Sequence, residues 1–299
     1  MATKIEWADE TWNPVTGCSK VSDGCKNCYA ERLSHRFGWT DKPWTVGNAV
    51  ENVRLHQERL DKPLKWKKPR RIFVNSMSDL FHEDVPYEFI DQVFDTMVAA
   101  KQHTFQVLTK RPVRMKQYME RFMARRKRFV EEFYSKPEDA EVRRMGREWA
   151  EKPPANVWLG VSVESQQAAE ERIPLLLQTP AALRFLSMEP LLGPVDLGKQ
   201  LGWAAESRSV LNGWHGIDWV IVGGESGPKA RPMHPDWVRN LRDQCQEAGV
   251  PFYMKQMGSA WNKKGKGNNL SEIPEDLRML VLPSYQWLAK CTKVYGRYF

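Results

Sequence analysis

Apolar positions along this chain follow a repeating pattern. Short, nearly continuous apolar or β-branched runs end in polar, glycine- or proline-containing loops, and stretches with helical spacing follow. Seven runs read as strands: Thr11–Thr16, Arg71–Ser76, Phe105–Thr109, Asn156–Val163, Leu183–Met188, Ile217–Val222 and Pro251–Lys255. Helical spacing marks Lys26–Phe37, Tyr87–Lys101, Gln166–Leu177 and Asp236–Ala248. Strands that alternate with helices imply a parallel sheet with right-handed crossovers. Nearly unbroken apolar strands fit burial on both faces. The expectation is an α/β fold, a partial or complete parallel (β/α) barrel of about six or seven strands, over residues 1–258. No GxGxxG or GxxxxGK[ST] follows a strand, which argues against a dinucleotide-binding or P-loop fold.

One connection is too long for this grammar. Arg114–Trp149 is helical in pattern, and residues 111–152 hold 13 basic and 8 acidic residues, with clusters at 124–128 (ARRKR) and 143–147 (RRMGR). It reads as a helical insertion: either a solvated hairpin packed outside the barrel or a platform for a phosphate-bearing partner. A basic run, Lys62, Lys65, Lys67, Lys68, Arg70 and Arg71, leads into the second strand. Residues 259–299 have less pattern and read as a C-terminal extension packed on the barrel.

Composition narrows the class. The 299 residues carry a net charge of +8, are 41% hydrophobic and have a mean hydropathy of −0.59. No apolar run approaches the roughly 20 residues that span a bilayer. The N-terminal residues lack the pattern of a secretory signal. The expected setting is the reducing cytoplasm, where cysteines serve as ligands or nucleophiles rather than disulfides.

Three of the five cysteines, Cys18, Cys25 and Cys28, lie within eleven residues. Cys245 and Cys291 stand apart and read as small buried hydrophobes. Ser22 or Asp23 is placed to cap the helix that follows, which sets Cys25 and Cys28 on one side of its first turn, where free N–H groups favour thiolates. A structural zinc site wants four protein ligands. No obvious fourth is present, since His35 lies two turns along the helix. An iron–sulfur cluster held by three cysteines instead leaves one iron open, and such clusters and S-adenosylmethionine carry radical chemistry.

In (β/α) barrels the active site lies at the C-terminal strand ends. Those ends here carry Asn75, Ser76, Ser78 and Asp79; Thr109, Lys110 and Arg111; Ser162 and Glu164; Ser187 and Glu189; Gly223, Gly224, Glu225 and Arg231; and Lys255 and Gln256. Lys110, Glu164 and Glu189 are the candidates for catalysis. Asn75, Ser76, Asp79, Ser162, Glu225 and Lys255 are the candidates for holding the amino, carboxylate and ribose groups of a cofactor.

The segments WNPVTGCSKVSDGCKNCYAERL, FVNSMSDLFHEDVP, FQVLTKRP, VWLGVSVES, RFLSMEPLLGPVDL and WVIVGGESGPKARPMHPDWVRNLRDQCQEAGVPFYMKQMG together resemble the phage Gp37/Gp68 family, a domain of unknown function also described as three-Cys-motif proteins. The resemblance covers about residues 4–258. It implies a radical-SAM-like partial barrel, a [4Fe-4S] cluster on Cys18, Cys25 and Cys28, and S-adenosylmethionine on the open iron. A partner protein is also implied, because some members are encoded beside one. The chain departs from the common CxxxCxxC spacing: six residues separate Cys18 from Cys25, and Tyr29 follows the last cysteine rather than preceding it. Its Gly223-Gly224-Glu225 follows the sixth strand rather than the second, so the usual amino-binding role does not transfer to Glu225.

Three functional readings follow as expectations. The first is a radical-SAM-type enzyme supplied by an electron donor, acting on an unknown substrate that includes nucleic acid or a nucleotide among its candidates. The alternative is a zinc-stabilised nucleic-acid-binding module without catalysis. A metal-assisted hydrolase using Asp79, Glu164 or Glu189 as general base is a third reading.

Overall fold

The computed structural model describes residues 7–133, 140–198, 216–261 and 270–283. Its elements in chain order are β1 (Glu10–Trp12), β2 (Val15–Thr16), α1 (Tyr29–Arg36), α2 (Ala49–Asn52), β3 (Arg54–Leu55), β4 (Arg71–Val74), α3 (Tyr87–Ala99), β5 (Thr104–Thr109), α4 (Pro112–Phe133), α5 (Ala140–Glu151), β6 (Val157–Ser162), α6 (Gln166–Gln178), β7 (Leu183–Met188), β8 (Trp219–Gly223), α7 (Pro235–Glu247) and β9 (Phe252–Gln256).

Seven strands form one parallel sheet in the order β1-β4-β5-β6-β7-β8-β9. Each main strand lies beside its predecessor, the winding of a (β/α) barrel. Among the described residues β1 and β9 end the sheet without pairing to each other, so the barrel is partial. Main-chain bonds join Met254 N to Met279 O (2.7 Å) and Val281 N to Phe252 O (3.2 Å), and they cover the outer edge of β9. An uncovered edge would invite pairing with another chain.

Two expectations change. The predicted Thr11–Thr16 strand splits at Pro14, which has no N–H to donate. Only β1 joins the main sheet, while β2 pairs antiparallel with β3. The predicted helix from Lys26 starts later, at Tyr29. Residues Asp23–Cys25 form a 3₁₀ turn, with Cys25 N bonded to Ser22 O at 2.9 Å and Lys26 N to Asp23 O at 3.1 Å. The Ser22 side chain makes no capping bond. Cys25 and Cys28 therefore flank a turn rather than share the first turn of a helix. The extension beyond 283 lies outside the described residues.

The chain divides into two compact units, one of residues 1–20, 30–160 and 178–183, the other of 21–29, 161–177 and 184–299. In the first, the buried side chains Ile72, Val74, Phe105 and Val107 of β4 and β5 and Phe89, Ile90, Val93, Phe94 and Met97 of α3 make the core. The Asn156 amide donates to the Met97 and His103 carbonyls and ties the end of α3 to the start of β6. The long insertion packs on α3: Tyr118 and Phe122 meet the Phe94 ring, and Tyr118 donates to Asp91 at 3.0 Å. Much of its basic charge is already used. Arg121 and Arg125 pair with Asp91, and Arg125 also pairs with Asp95. Arg126 is buried over the Trp149 ring, and desolvation pulls its pKa down to about 10.

The second unit buries Phe185, Leu186, Met188, Trp219, Val220, Val222, Phe252 and Met254 of its strands, with Val238, Leu241 and Cys245 of α7. Burial pushes the Cys245 thiol up to about 12, in keeping with a core role. Among the described residues no helix is long and apolar enough to cross a membrane.

Candidate active site

In the first unit, Gly17 admits no side chain: its φ is +82°, and a Cβ there would lie 1.8 Å from Asn52 O. The chain can therefore press against the end of α2, and Gly17 N also bonds Met77 O in the loop after β4 at 3.0 Å. Ser78 donates to Val15 O (2.9 Å), and Asn13 Oδ1 accepts from the Ser76 hydroxyl (3.2 Å) and the Met77 amide (3.1 Å). Asn75 adopts φ +58°, a region few non-glycine residues visit. Its Oδ1 accepts from Val15 N, while its Nδ2 is buried with no partner. An orphaned buried donor is costly unless something else satisfies it.

Cys18 comes next, and its sulfur accepts from Arg111 Nη1 at 3.5 Å. The Arg111 guanidinium is buried and every N–H side of it is engaged. Nε donates to Glu83 at 2.8 Å, Nη1 also to Asp79 at 3.3 Å, and Nη2 to Ser19 O and Oγ at 3.3 and 2.9 Å. Burial alone would lower its pKa, but Asp79, Cys18 and Glu83 outweigh that and raise it, so the group stays charged. Asp79 also accepts from the Phe81 amide, the Thr109 hydroxyl and the Lys110 amide. Its carboxylate is thus occupied in joining the β4 and β5 ends to the cysteine loop, and the Lys110 backbone is fixed while its side chain stays half-exposed. His82 packs behind this group with Nε2 2.8 Å from Ser19 Oγ.

In the second unit, the Cys25–Cys28 turn is clamped by the loop after β8. The Asn27 amide donates to Glu225 Oε2 (3.0 Å) and Lys229 O (2.8 Å). Arg231 donates to Glu225 through its backbone N, Nε and Nη2, and Nη2 reaches Asp23 O at 3.0 Å. Burial would raise the Glu225 pKa, but the bonds from Arg231 and Asn27 win and hold it below the usual carboxylate range. Gly224 lets this loop close: a Cβ there would lie 2.2 Å from Met257 O.

Glu164 sits under the same turn. A Cβ on Gly24 would fall 2.9 Å from its carboxyl carbon, so glycine is what allows the approach. The carboxylate is buried and held by Arg172 at 2.8 and 3.2 Å, and Arg172 also donates to Ser162 O. Glu189 packs against Gly223, where a Cβ would fall 3.3 Å from its carboxyl carbon, and is half-exposed, with Lys255 Nζ 2.8 and 2.7 Å from its two oxygens and Gln256 Nε2 at 2.7 Å. Tyr29, the residue after Cys28, is 40% exposed. Cys18, Cys25 and Cys28 are half-exposed and in no disulfide. Among the described residues no group of three His, Cys, Asp or Glu side chains stands close enough to hold a metal ion.

A family model described as a protein of unknown function, DUF5131, matches residues 2–293. The chain belongs to the DUF5131 family. None of the curated proteins matches it. Three solved structures do, each at 10% identity. One is a cysteine-to-serine variant of spore photoproduct lyase, with a TM-score of 0.46 over 85% of this chain and 78% of that one. Another is the lyase complexed with dinucleoside spore photoproduct (TM-score 0.40, 83% and 63%). The third is a double variant with bound AdoMet and dinucleoside spore photoproduct (TM-score 0.38, 83% and 63%).

Within this DUF5131 chain, the first unit brings Asn75, Ser76, Asp79 and Arg111 to the Cys18 segment. The second brings Glu225 to the Cys25–Cys28 turn, Glu164 beneath it, and Lys255 to Glu189. Several contributors escape a sequence reading. Asn27 and Arg172 act through contacts distant in sequence or through an ion pair, and nothing in their spacing marks them. Gln106 has a sequence signal, being a polar residue inside the apolar strand FQVLT. It is fully buried with neither amide atom partnered.

Proposed function

We propose that this chain is an iron–sulfur enzyme of the radical-SAM type, of the Gp37/Gp68 kind its motifs resemble. The observation that carries the reading is the set of three half-exposed cysteines outside any disulfide, two of them bracketing a turn clamped by Asn27 and the third bonded by Arg111. The donor set fits a cluster better than a closed zinc site: three soft thiolates, with the nearby carboxylates Asp79, Glu164 and Glu225 already bound to arginines. With a [4Fe-4S] cluster and S-adenosylmethionine bound, the site would supply one-electron cleavage of the sulfonium and a carbon radical that takes hydrogen from substrate.

The chain's own residues divide the remaining work. Cys18, Cys25 and Cys28 hold the cluster. Arg111 offsets thiolate charge at Cys18. Asp79 and Glu225 keep the two cysteine segments in place through Arg111 and Asn27. Asn75 offers its unpartnered amide. Lys255 and Glu189 take the carboxylate and amino ends of S-adenosylmethionine, and Ser162 and Ser76 add hydroxyls. Lys110 faces substrate with a half-exposed ammonium, and Glu164 supports the turn. An electron donor is required, and a nucleotide or nucleic acid is the substrate class.

Anaerobic reconstitution tests this. Wild type should take up about four irons and four sulfides per chain, with broad visible absorbance, and Cys18→Ala, Cys25→Ala and Cys28→Ala should each lose them. Stoichiometric zinc in anaerobically purified protein, with no iron uptake, would favour the zinc-stabilised module instead.

A further inference from the structure

A second aromatic and cationic site lies beside the Cys18 segment within the first unit. Helix α1 ends at Arg36, and Gly38 then turns the chain at φ +64°, with Gly38 N on His35 O (3.1 Å) and Trp39 N on Ser34 O (2.8 Å). A glycine in this conformation just past a helix is a rigid stop. It presents Phe37 and Trp39 side by side, ring centroids 5.3 Å apart, and leaves them 57% and 45% exposed. Exposed apolar side chains that adjoin one another and are rimmed by polar groups are the form an interaction site takes.

Trp39 forms one wall of a cavity of about 150 Å³ whose other walls are Thr16, Gly38, Arg54, His56 and Arg59. The β2–β3 pairing sets Thr16 opposite Arg54. His56 is satisfied between Thr16 Oγ1 (2.8 Å) and Glu58 Oε1 (3.1 Å) and adds no free donor. Burial, with Arg59 adding to it, lowers its pKa, so it is neutral near pH 7. Arg59 pairs with the exposed Glu58. Arg54 lies exposed, and among the described residues no carboxylate pairs with it. Arg36 stands 6.0 Å from the Phe37 ring and adds a further cation.

From this arrangement we infer that Phe37, Trp39 and Arg54 form a binding site for single-stranded nucleic acid. A flat base stacks on the indole, and the guanidinium of Arg54 meets a backbone phosphate. The cavity is smaller than the roughly 300–1,000 Å³ of sites that enclose a drug-sized ligand. It therefore takes one ring of a longer strand rather than a whole molecule. Bases in a duplex are stacked on each other and unavailable to an indole, which selects single strands. Thr16, which lines the cavity, stands two residues before Cys18, so the cavity adjoins the Cys18 segment along the chain. Calling the strand a substrate rests on the function proposed above; its binding does not.

The experiment uses metal-free full-length protein and fluorescein-labelled DNA and RNA single strands of about 12 nucleotides, within the site sizes of such surfaces. Fluorescence anisotropy should show binding that weakens with salt. Trp39→Ala should weaken it roughly tenfold or more, as loss of base stacking does. Arg54→Ala should reduce the slope of log affinity against log salt by about one. Duplex of the same sequence should compete poorly. No binding of either strand, equal binding of duplex, or binding untouched by both variants but lost in a Lys127→Ala/Arg128→Ala variant of the insertion would each overturn the proposal. A strand that binds while reconstitution yields no cluster would retain this site and remove the enzymatic reading.

Discussion

Arg111 reaches from the end of β5 to place a guanidinium nitrogen 3.5 Å from the sulfur of Cys18. Ser19 touches both side chains: its carbonyl accepts from Cys18 Sγ at 3.4 Å and from Arg111, and its hydroxyl also accepts from Arg111. A buried cation on a thiolate lowers the cost of keeping sulfur charged. Arg111→Gln should therefore speed loss of iron from reconstituted protein to a chelator by roughly tenfold, the scale of second-shell effects on metal affinity. Arg111→Lys should fall between, because a point charge replaces a fork of donors. Absorbance decay gives the rate; decay equal to wild type in Arg111→Gln would show the contact to be incidental.

The Asn27–Glu225 bond makes a parallel claim for the second cysteine segment. Asn27→Ala removes the only side chain inside the CKNC turn that reaches the loop after β8 among the described residues. Iron content after reconstitution should drop to half or less, with unfolding by urea nearly unchanged because Arg231 still neutralises Glu225. Equal losses of iron and stability would mean the turn is only a structural link.

Glu164 and Arg172 form a buried pair, 3% and 7% exposed along their side chains. Removing one partner strands a charge. Arg172→Met should cost about 3–5 kcal/mol in urea unfolding, and Glu164→Leu/Arg172→Met should recover most of it. A double variant no better than the single one would assign Glu164 a further partner.

Asp218, at the entry to β8, accepts from Arg184 N at 2.7 Å, yet burial lifts its pKa to about 7. A carboxyl whose folded pKa exceeds its unfolded value favours the fold at low pH, and that contribution is lost as pH rises through the folded pKa. Asp218→Asn should thus be more stable than wild type at pH 8, with the gap closing toward pH 4. Thermal unfolding across that range checks it, and a constant gap would contradict it.

Much of the fold is legible in sequence because strand burial is written as apolar runs and crossovers as helical spacing. All seven predicted strands overlap a strand of the main sheet. The failures are local. Pro14 cut the first strand, and long-range bonds from Asn27 delayed α1 past Cys28. At the site, residue types at strand ends are readable, but their partners are not. Glu164, Asp79 and Glu225 look like catalytic or cofactor-binding carboxylates until Arg172, Arg111 and Arg231 are seen to occupy them. Gly17, Gly24 and Gly224 look like ordinary loop glycines until the atoms their missing Cβ would strike are known.

The account is tested most directly by incubating reconstituted protein anaerobically with S-adenosylmethionine and a strong reductant and assaying for 5′-deoxyadenosine. The expected result is reductant-dependent 5′-deoxyadenosine, with a hydrogen traceable to substrate or solvent, abolished in Cys18→Ala, Cys25→Ala and Cys28→Ala. A cluster-loaded wild-type protein that neither binds nor cleaves S-adenosylmethionine would contradict it.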